Sequence, residues 1–220
     1  MPSTEYPKIT GPFKRDPQTN KLTDEWATRE LEDLAGANIW YFTEKVDGTN
    51  VRIFWDGYRV TYSGRTDNAV FSADQEAALK HLFAGEDNEN LFEQQFGVEP
   101  AILYGELYGP KIQKGGVYRD DITYTLFDVK RGGLWLFRQA VEDVAAGLGI
   151  DAAPLILDGV NVQMAIDHVK VGLYSEIALE SKAATFSEGL VGYTRSGLLD
   201  RRGNRISVKI KHRDFYEGSR

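Results

Sequence analysis

The 220-residue chain is 42% hydrophobic and 12% aromatic, a composition that excludes disorder in a chain long enough to bury a substantial core. It contains no cysteine, which excludes disulfides and cysteine-ligated zinc or iron–sulfur sites. Its net charge of −7 argues against a basic footprint over the whole surface, but the charge is segregated. Glu86, Asp87, Glu89 and Glu93 form an acidic middle, whereas Arg195, Arg201, Arg202, Arg205, Lys209, Lys211 and Arg213 form a basic end where a polyanion could bind.

Trp26, Leu31 and Leu34 recur at helical spacing behind early acids and predict a helix over 23–35. Runs rich in β-formers predict strands over 39–46, 50–56 and 58–63, with Trp55-Asp56-Gly57-Tyr58 as a hairpin turn. Ser72 and Gln75 read as a capping box opening a helix over 73–84. The stretch 85–100 reads as a surface excursion, and strands over 101–107 and 122–129 follow. A helix over 134–147 would place Leu134, Phe137, Val141 and Val144 on one face. No periodicity is legible in 150–172; a shorter helix over 175–183 and strands over 190–194 and 206–211 complete the reading. Strand pairs interrupted by helices predict an α+β fold of antiparallel sheets flanked by helices. No repeat, low-complexity tract or linker divides the chain, so residues 1–220 read as a single domain.

The chemistry-bearing residues fall between these elements. Lys45-Val46-Asp47-Gly48-Thr49-Asn50 joins two predicted strands, which puts a lysine at the mouth of a sheet. Such a Lys-x-Asp-Gly string arises by chance in roughly one chain in twenty of this length, so it carries weight only with company. A lysine amine attacks phosphorus only when unprotonated, and its free pKa is near 10.4. A nucleophilic lysine therefore calls for neighbouring cations, phosphate binders and acids. The sequence offers them. Arg65 sits in the Ser63-Gly64-Arg65-Thr66 turn, where a guanidinium fork could grip phosphate or ribose. Glu106 lies in Tyr104-Gly105-Glu106-Leu107-Tyr108-Gly109, whose glycines suggest close backbone approach to a ligand. Phe127 lies on the strand Thr125–Val129, and Glu188 precedes Gly189-Leu190-Val191. Lys209 and Lys211 share one face of the final strand, an arrangement that wants an anion between them.

Taken in order, these residues resemble the covalent nucleotidyltransferase superfamily of polynucleotide ligases and mRNA-capping enzymes. Its ordered motifs are Lys-x-Asp-Gly, a Ser-Gly-Arg-like turn, a Gly-Glu element, a strand with an aromatic and an acid, Glu-Gly-x-Val and a final Lys-x-Lys strand. All are present between about residue 40 and residue 211. Glu44 directly before Lys45, and Asn50 where capping enzymes and DNA ligases usually have arginine, look like the RNA ligase 2-like branch. Asp47, where that branch often has histidine, leaves the choice between RNA and DNA open.

The resemblance implies an adenylyltransferase (ATP-grasp-like ligase nucleotidyltransferase) domain and an ATP-dependent RNA ligase that joins 3′-hydroxyl and 5′-phosphate ends. Lys45 would be the nucleophile, with Lys209 and Lys211 contacting the α-phosphate and holding Lys45 partly neutral. Arg65 and Glu106 would bind ribose or phosphate, Phe127 would stack on adenine, and Glu44 would hydrogen-bond its edge. Asn50 would orient the leaving group or the incoming phosphate. Glu188 and Asp47 would help hold Mg²⁺ or Mn²⁺, directly or through water. His81, His168 and His212 show no ligand spacing, and no zinc is expected. The expected partners are ATP and nicked or bridged RNA, with DNA or mixed RNA–DNA ends as the alternative. A capping guanylyltransferase and a non-catalytic nucleotide-binding module are the further readings. The chain reads as a minimal ligase without a C-terminal domain, acting as a monomer. With neither a signal peptide nor an apolar run of the ~20 residues that span a bilayer, it reads as cytoplasmic, in a bacterium or a virus-infected host cell.

Overall fold

The computed structural model describes residues 4–179 and 184–216. In chain order its elements are β1 (Phe13–Arg15), β2 (Leu22–Trp26), α1 (Arg29–Leu34), β3 (Trp40–Lys45), β4 (Thr49–Trp55), β5 (Val60–Gly64), α2 (Ala73–Phe83), α3 (Glu86–Phe96), β6 (Ala101–Tyr108), β7 (Thr123–Arg131), β8 (Leu134–Trp135), α4 (Arg138–Leu148), β9 (Asp151–Ala152), β10 (Leu155–Val160), α5 (Val162–Lys170), α6 (Glu176–Leu179), β11 (Gly189–Thr194), β12 (Ser207–Lys211) and α7 (His212–Phe215). They fall into two units, the first from residues up to Tyr6 together with Asp47–Ala153, the second from Pro7–Val46 together with the chain from Pro154 onward. Each is built as an α+β arrangement around antiparallel strand pairing, as expected from the sequence.

In the first unit the sheet runs β5-β4-β6-β7-β8, with β9 added parallel to β7. The β4–β5 hairpin closes because the Asp56 carboxylate accepts the backbone N–H groups of Tyr58 and Arg59, both at 2.8 Å, while Gly57 takes φ +103°. Helix α2 opens on the predicted capping box: Ser72 Oγ accepts from Gln75 N, and Gln75 Oε1 accepts from Ser72 N. Val51, Ile53, Leu103 and Leu126 of the sheet pack against Leu79, Phe83, Phe92 and Val144 of the helices.

Two expectations in this unit are overturned. The stretch 85–100 is not a surface excursion, because α3 occupies most of it and buries Phe92 and Phe96 in the core. Its polar first turns conceal an apolar pair at i, i+4. The helix expected over 134–147 begins only at Arg138, since Leu134 and Trp135 pair with β7 and Phe137 is the exposed residue preceding the helix.

In the second unit the sheet order is β10-β3-β11-β12, and β1 and β2 form a separate ribbon. Trp40 and Phe42 of β3, Leu190 of β11 and Val208 and Ile210 of β12 pack with Leu31 of α1 and Val162, Ile166 and Val169 of α5. The helix expected over 23–35 is shorter than predicted. Trp26 instead pairs with Phe13 across the ribbon, and Thr28 Oγ1 caps α1 by accepting from Leu31 N at 3.3 Å. The unread stretch 150–172 holds β9, β10 and α5, whose Asn161 cap accepts from Met164 N. The helix expected over 175–183 is present as α6; residues 180–183 lie outside the described residues.

Candidate active site

Strand register sets the geometry of the second unit's lysines. Gly189 of β11 is paired with Lys45 on one side and Lys211 on the other. Strands lie about 4.8 Å apart, so the two lysines stand roughly 10 Å apart across one row of the sheet. Lys209 lies two residues from Lys211 on β12, paired with Val191, and projects from the same face. Gly189 has φ +149°, and a Cβ there would meet the Ile210 carbonyl oxygen at 2.0 Å, so only glycine lets β11 run this close to β12.

Glu188, one residue before that glycine, closes the cluster. Its Oε2 lies 2.6 Å from Lys45 Nζ and its Oε1 accepts from Lys211 Nζ at 2.5 Å. Burial works to raise the Glu188 pKa, but Lys45 and Lys211 outweigh it and hold the carboxyl below its ordinary value. The backbone around it is fixed by hydrogen bonds. His212 N–H donates to the Glu188 carbonyl at 2.8 Å, and the buried Ser187 hydroxyl lies 3.1 Å from the Lys45 carbonyl oxygen and accepts from Gly189 N at 3.2 Å. Ser187 has no signal in the sequence beyond its place before Glu-Gly, and the reading of the residues missed it.

The anion that the paired lysines of β12 call for is therefore supplied in part by the protein. It changes the expected electrostatics too. The nearest charged neighbour of Lys45 is a carboxylate, not a cation. The amine that feels crowding is Lys209: burial first, then Lys211 and Lys45, hold it below the usual lysine value. Glu44, at 3% exposure, turns inward, and its Oε2 accepts the backbone N–H groups of Glu176 and Ile177 at 2.9 and 3.3 Å. Burial pushes its carboxyl above the ordinary range, against the hydrogen bonds from Ser175, Ile177 and Glu176.

The remaining residues singled out in the sequence belong to the first unit. Asp47 is half-buried and begins that unit immediately before Gly48. Asn50 and Glu106 face each other in register on β4 and β6, and Asn50 Nδ2 donates to the Gly105 carbonyl at 3.4 Å. Gly105 does not make room for a ligand. A Cβ there would meet the Tyr124 ring at 2.1 Å and the Thr125 carbonyl at 2.4 Å, so the space belongs to the protein's own side chain. Phe127 is partly buried, with Tyr6 edge-on at 5.1 Å.

Arg65 is exposed, on a turn held by a residue the sequence reading passed over. Arg52 is fully buried, and its guanidinium donates to the Gly64 carbonyl at 2.8 Å and to Asp67 Oδ1 at 2.7 Å, fastening the turn on both sides of Arg65. Alternation gave no warning of it: Arg52 shares its face of β4 with Asn50 and Phe54, opposite the core residues Val51, Ile53 and Trp55, where a charged side chain reads as solvated. Among the described residues, no cluster of three or more His, Cys, Asp or Glu side chains is placed to hold a metal ion.

A lysine at a strand end, ion-paired to a glutamate that opens the neighbouring strand and flanked by the lysines of a third, on an antiparallel α+β fold, defines the ligase class of nucleotidyltransferases. The family model described as RNA ligase matches residues 38–211, and the chain belongs to that family. No match was found among curated proteins. Among solved structures, a Naegleria gruberi RNA ligase variant with ATP and Mn superposes with TM-score 0.60 at 17% identity, over 94% of this chain and 63% of that one. A lysine-to-methionine variant of Naegleria gruberi RNA ligase with AMP and Mn gives TM-score 0.61 at 16% identity, over 94% and 61%. A Naegleria gruberi RNA ligase R4a variant without ligand gives 0.59 at 17% identity, over 83% and 51%. The chain thus spans between half and two-thirds of the length of these proteins. No helix among the described residues is long and apolar enough to cross a membrane.

Proposed function

We propose that the chain is an ATP-dependent RNA ligase that works through lysyl-AMP at Lys45. The observation that carries this reading is the Lys45–Glu188–Lys211 cluster, an amine held at a strand end by a carboxylate that a second amine shares. The Lys45 amine, once neutral, attacks the α-phosphorus of ATP, a P–N bond forms, and pyrophosphate leaves with the electrons of the broken P–O bond. AMP then passes from Lys45 to the 5′-phosphate of a strand, and a 3′-hydroxyl attacks that phosphate and releases AMP. These are phosphoryl transfers, so the protein's share is positioning and charge stabilisation. Lys209 and Lys211 bear on the α-phosphate. Glu188 acts as the counter-ion that fixes Lys45 while no nucleotide is bound; a carboxylate held below its ordinary pKa is a poor proton acceptor.

The substrate is ATP with Mg²⁺ or Mn²⁺, in keeping with the Mn and ATP or AMP named for the Naegleria proteins. Such an ion would be held chiefly by phosphate oxygens and water, and the family pattern gives Glu188 and Asp47 supporting roles toward it. Arg65, Glu106, Phe127 and Asn50 keep the nucleotide-binding roles that the family pattern assigns them; Glu44, whose Oε2 is taken by backbone amides, would meet adenine through Oε1. Comparing nicked all-RNA, all-DNA and mixed duplexes separates the RNA reading from the DNA one.

Intact mass after incubation with ATP and Mg²⁺ tests the proposal. The wild type gains the mass of one AMP and Lys45→Ala gains none. Lys211→Ala slows the gain by about 10²-fold, the cost of losing one charge-stabilising group. A wild type that folds and never gains AMP, or gains it on another side chain, overturns the reading.

A further inference from the structure

Beside the Lys45–Glu188–Lys211 cluster, the second unit carries a groove of about 530 Å³. One wall is the N-terminal segment and the other is β12 with the chain that follows it. The Thr10 carbonyl accepts the Lys209 backbone N–H at 2.9 Å, which lays this segment along the free edge of β12. Lys8, Lys14, Arg15, Lys209, Lys211 and Arg213 line the groove, and among the described residues the one carboxylate lining it is Asp214. Asp214 is taken up by Arg15 at 2.5 Å, with Arg213 at 4.0 Å, and Lys14 pairs with Glu25 on the exposed surface. Among the described residues Lys8 and Lys209 have no carboxylate within ion-pair distance. In a chain of net charge −7 this concentration of cations needs an anion to account for it.

The same groove has an apolar side. Ile9, Pro12, Phe13 and Leu22 line it, and the Phe13 ring is propped against Trp26 with centroids 4.9 Å apart. A triphosphate tail has no use for an apolar wall. A single-stranded nucleic acid has both requirements at once, since its phosphates seek cations and its bases seek aromatic and apolar surface.

We propose that this groove is a binding site for a short single-stranded stretch of the RNA substrate, its phosphates on Lys8, Lys14 and Arg213 and its base surface on the side of Phe13. The inference rests on the ligase reading for its substrate. Lys211 belongs both to the groove and to the Lys45 cluster, so a strand lying here approaches the amine that carries AMP.

The experiment measures binding of a fluorescent 5′-phosphorylated oligoribonucleotide by anisotropy at several salt concentrations. Each phosphate contact on a single strand contributes about 0.7 to the slope of log affinity against log salt. Lys14→Ala combined with Arg213→Ala is expected to flatten that slope by about 1.4 and to weaken binding about tenfold at low salt. The charge-preserving pair Lys14→Arg and Arg213→Lys restores both, which separates loss of charge from loss of fold. An unchanged slope overturns the proposal. So does a variant that binds RNA normally but needs more ATP for half-maximal adenylation, since that assigns the groove to the triphosphate. Absence of AMP on Lys45, with strand binding still salt-dependent and still weakened in the variant, refutes the ligase reading and supports the groove.

Discussion

Glu188 and Glu44 lie in the same unit and bear their charge in opposite circumstances. Glu188 has two ammonium groups on its oxygens, which hold its folded pKa below the ordinary value despite burial. Its stabilising contribution is therefore complete above the unfolded pKa, near 4.3 for glutamate, and is lost as pH falls through the lower folded value. Glu44 is buried with backbone amides for company, and burial raises its folded pKa. Its charge opposes folding above that folded value, and the opposition disappears as pH falls below the unfolded one. Urea midpoints measured from pH 7 to pH 3 should show the difference. The gap between wild type and Glu188→Gln stays constant above about pH 4.3 and narrows below it, whereas Glu44→Gln gains on the wild type as pH rises. A Glu188→Gln gap that widens on acidification contradicts the assigned ion pairs. Lys45, Glu188 and the two lysines of β12 were legible as types and order in the sequence. That Glu188 joins Lys45 to Lys211 was not, because the pairing depends on the register of three strands distant in the chain.

Among the elements, the legible ones were those that announce themselves locally. The β4–β5 hairpin is written in Asp56-Gly57, the α2 start in Ser72 and Gln75, and β12 in strict alternation. The misread ones take their structure from partners elsewhere. Leu22–Trp26 carries acids at spacings that also suit a helix, but Trp26 finds Phe13 across a ribbon, and pairing decides. Helix α3 opens with acidic residues and asparagines and looks solvated, yet its Phe92 packs against Trp55 at 5.9 Å and Phe83 at 6.4 Å. That packing makes α3 a structural wall of the first unit. Phe92→Ala should cost about 3–5 kcal/mol, the range for removing a core phenylalanine, read from the urea midpoint at constant slope. A cost below about 1 kcal/mol would place α3 on the surface after all.

At the scale of the molecule, the family match covers residues of both units, because the first unit, apart from the residues up to Tyr6, is one long excursion, Asp47–Ala153, out of a second unit made of two separated segments. The asymmetry has a consequence for folding. The core of the first unit is drawn from Val51 to Leu148, and every strand of its sheet lies within that excursion. The sheet of the second unit needs β3 from one segment and β10, β11 and β12 from the other. A fragment of residues 47–153 is therefore expected to fold by itself, whereas residues 7–46 are not. The fragment forgoes what residues 4–6 bring, chiefly the hydrogen bond that the Tyr6 hydroxyl donates to Asp128 at 2.9 Å and the one that Arg52 donates to Thr4 Oγ1 at 2.7 Å, each to or from a charged group. Such losses cost about 1–3 kcal/mol each, so the fragment should unfold in urea in one cooperative transition at a midpoint below that of the full chain. Near-ultraviolet dichroism reports it directly, since Trp55 is buried in that core and Trp135 rests on Tyr104 at 5.4 Å. A fragment with no near-ultraviolet signal and no cooperative transition would show that residues 4–6 are part of the first unit's fold and not an accessory to it.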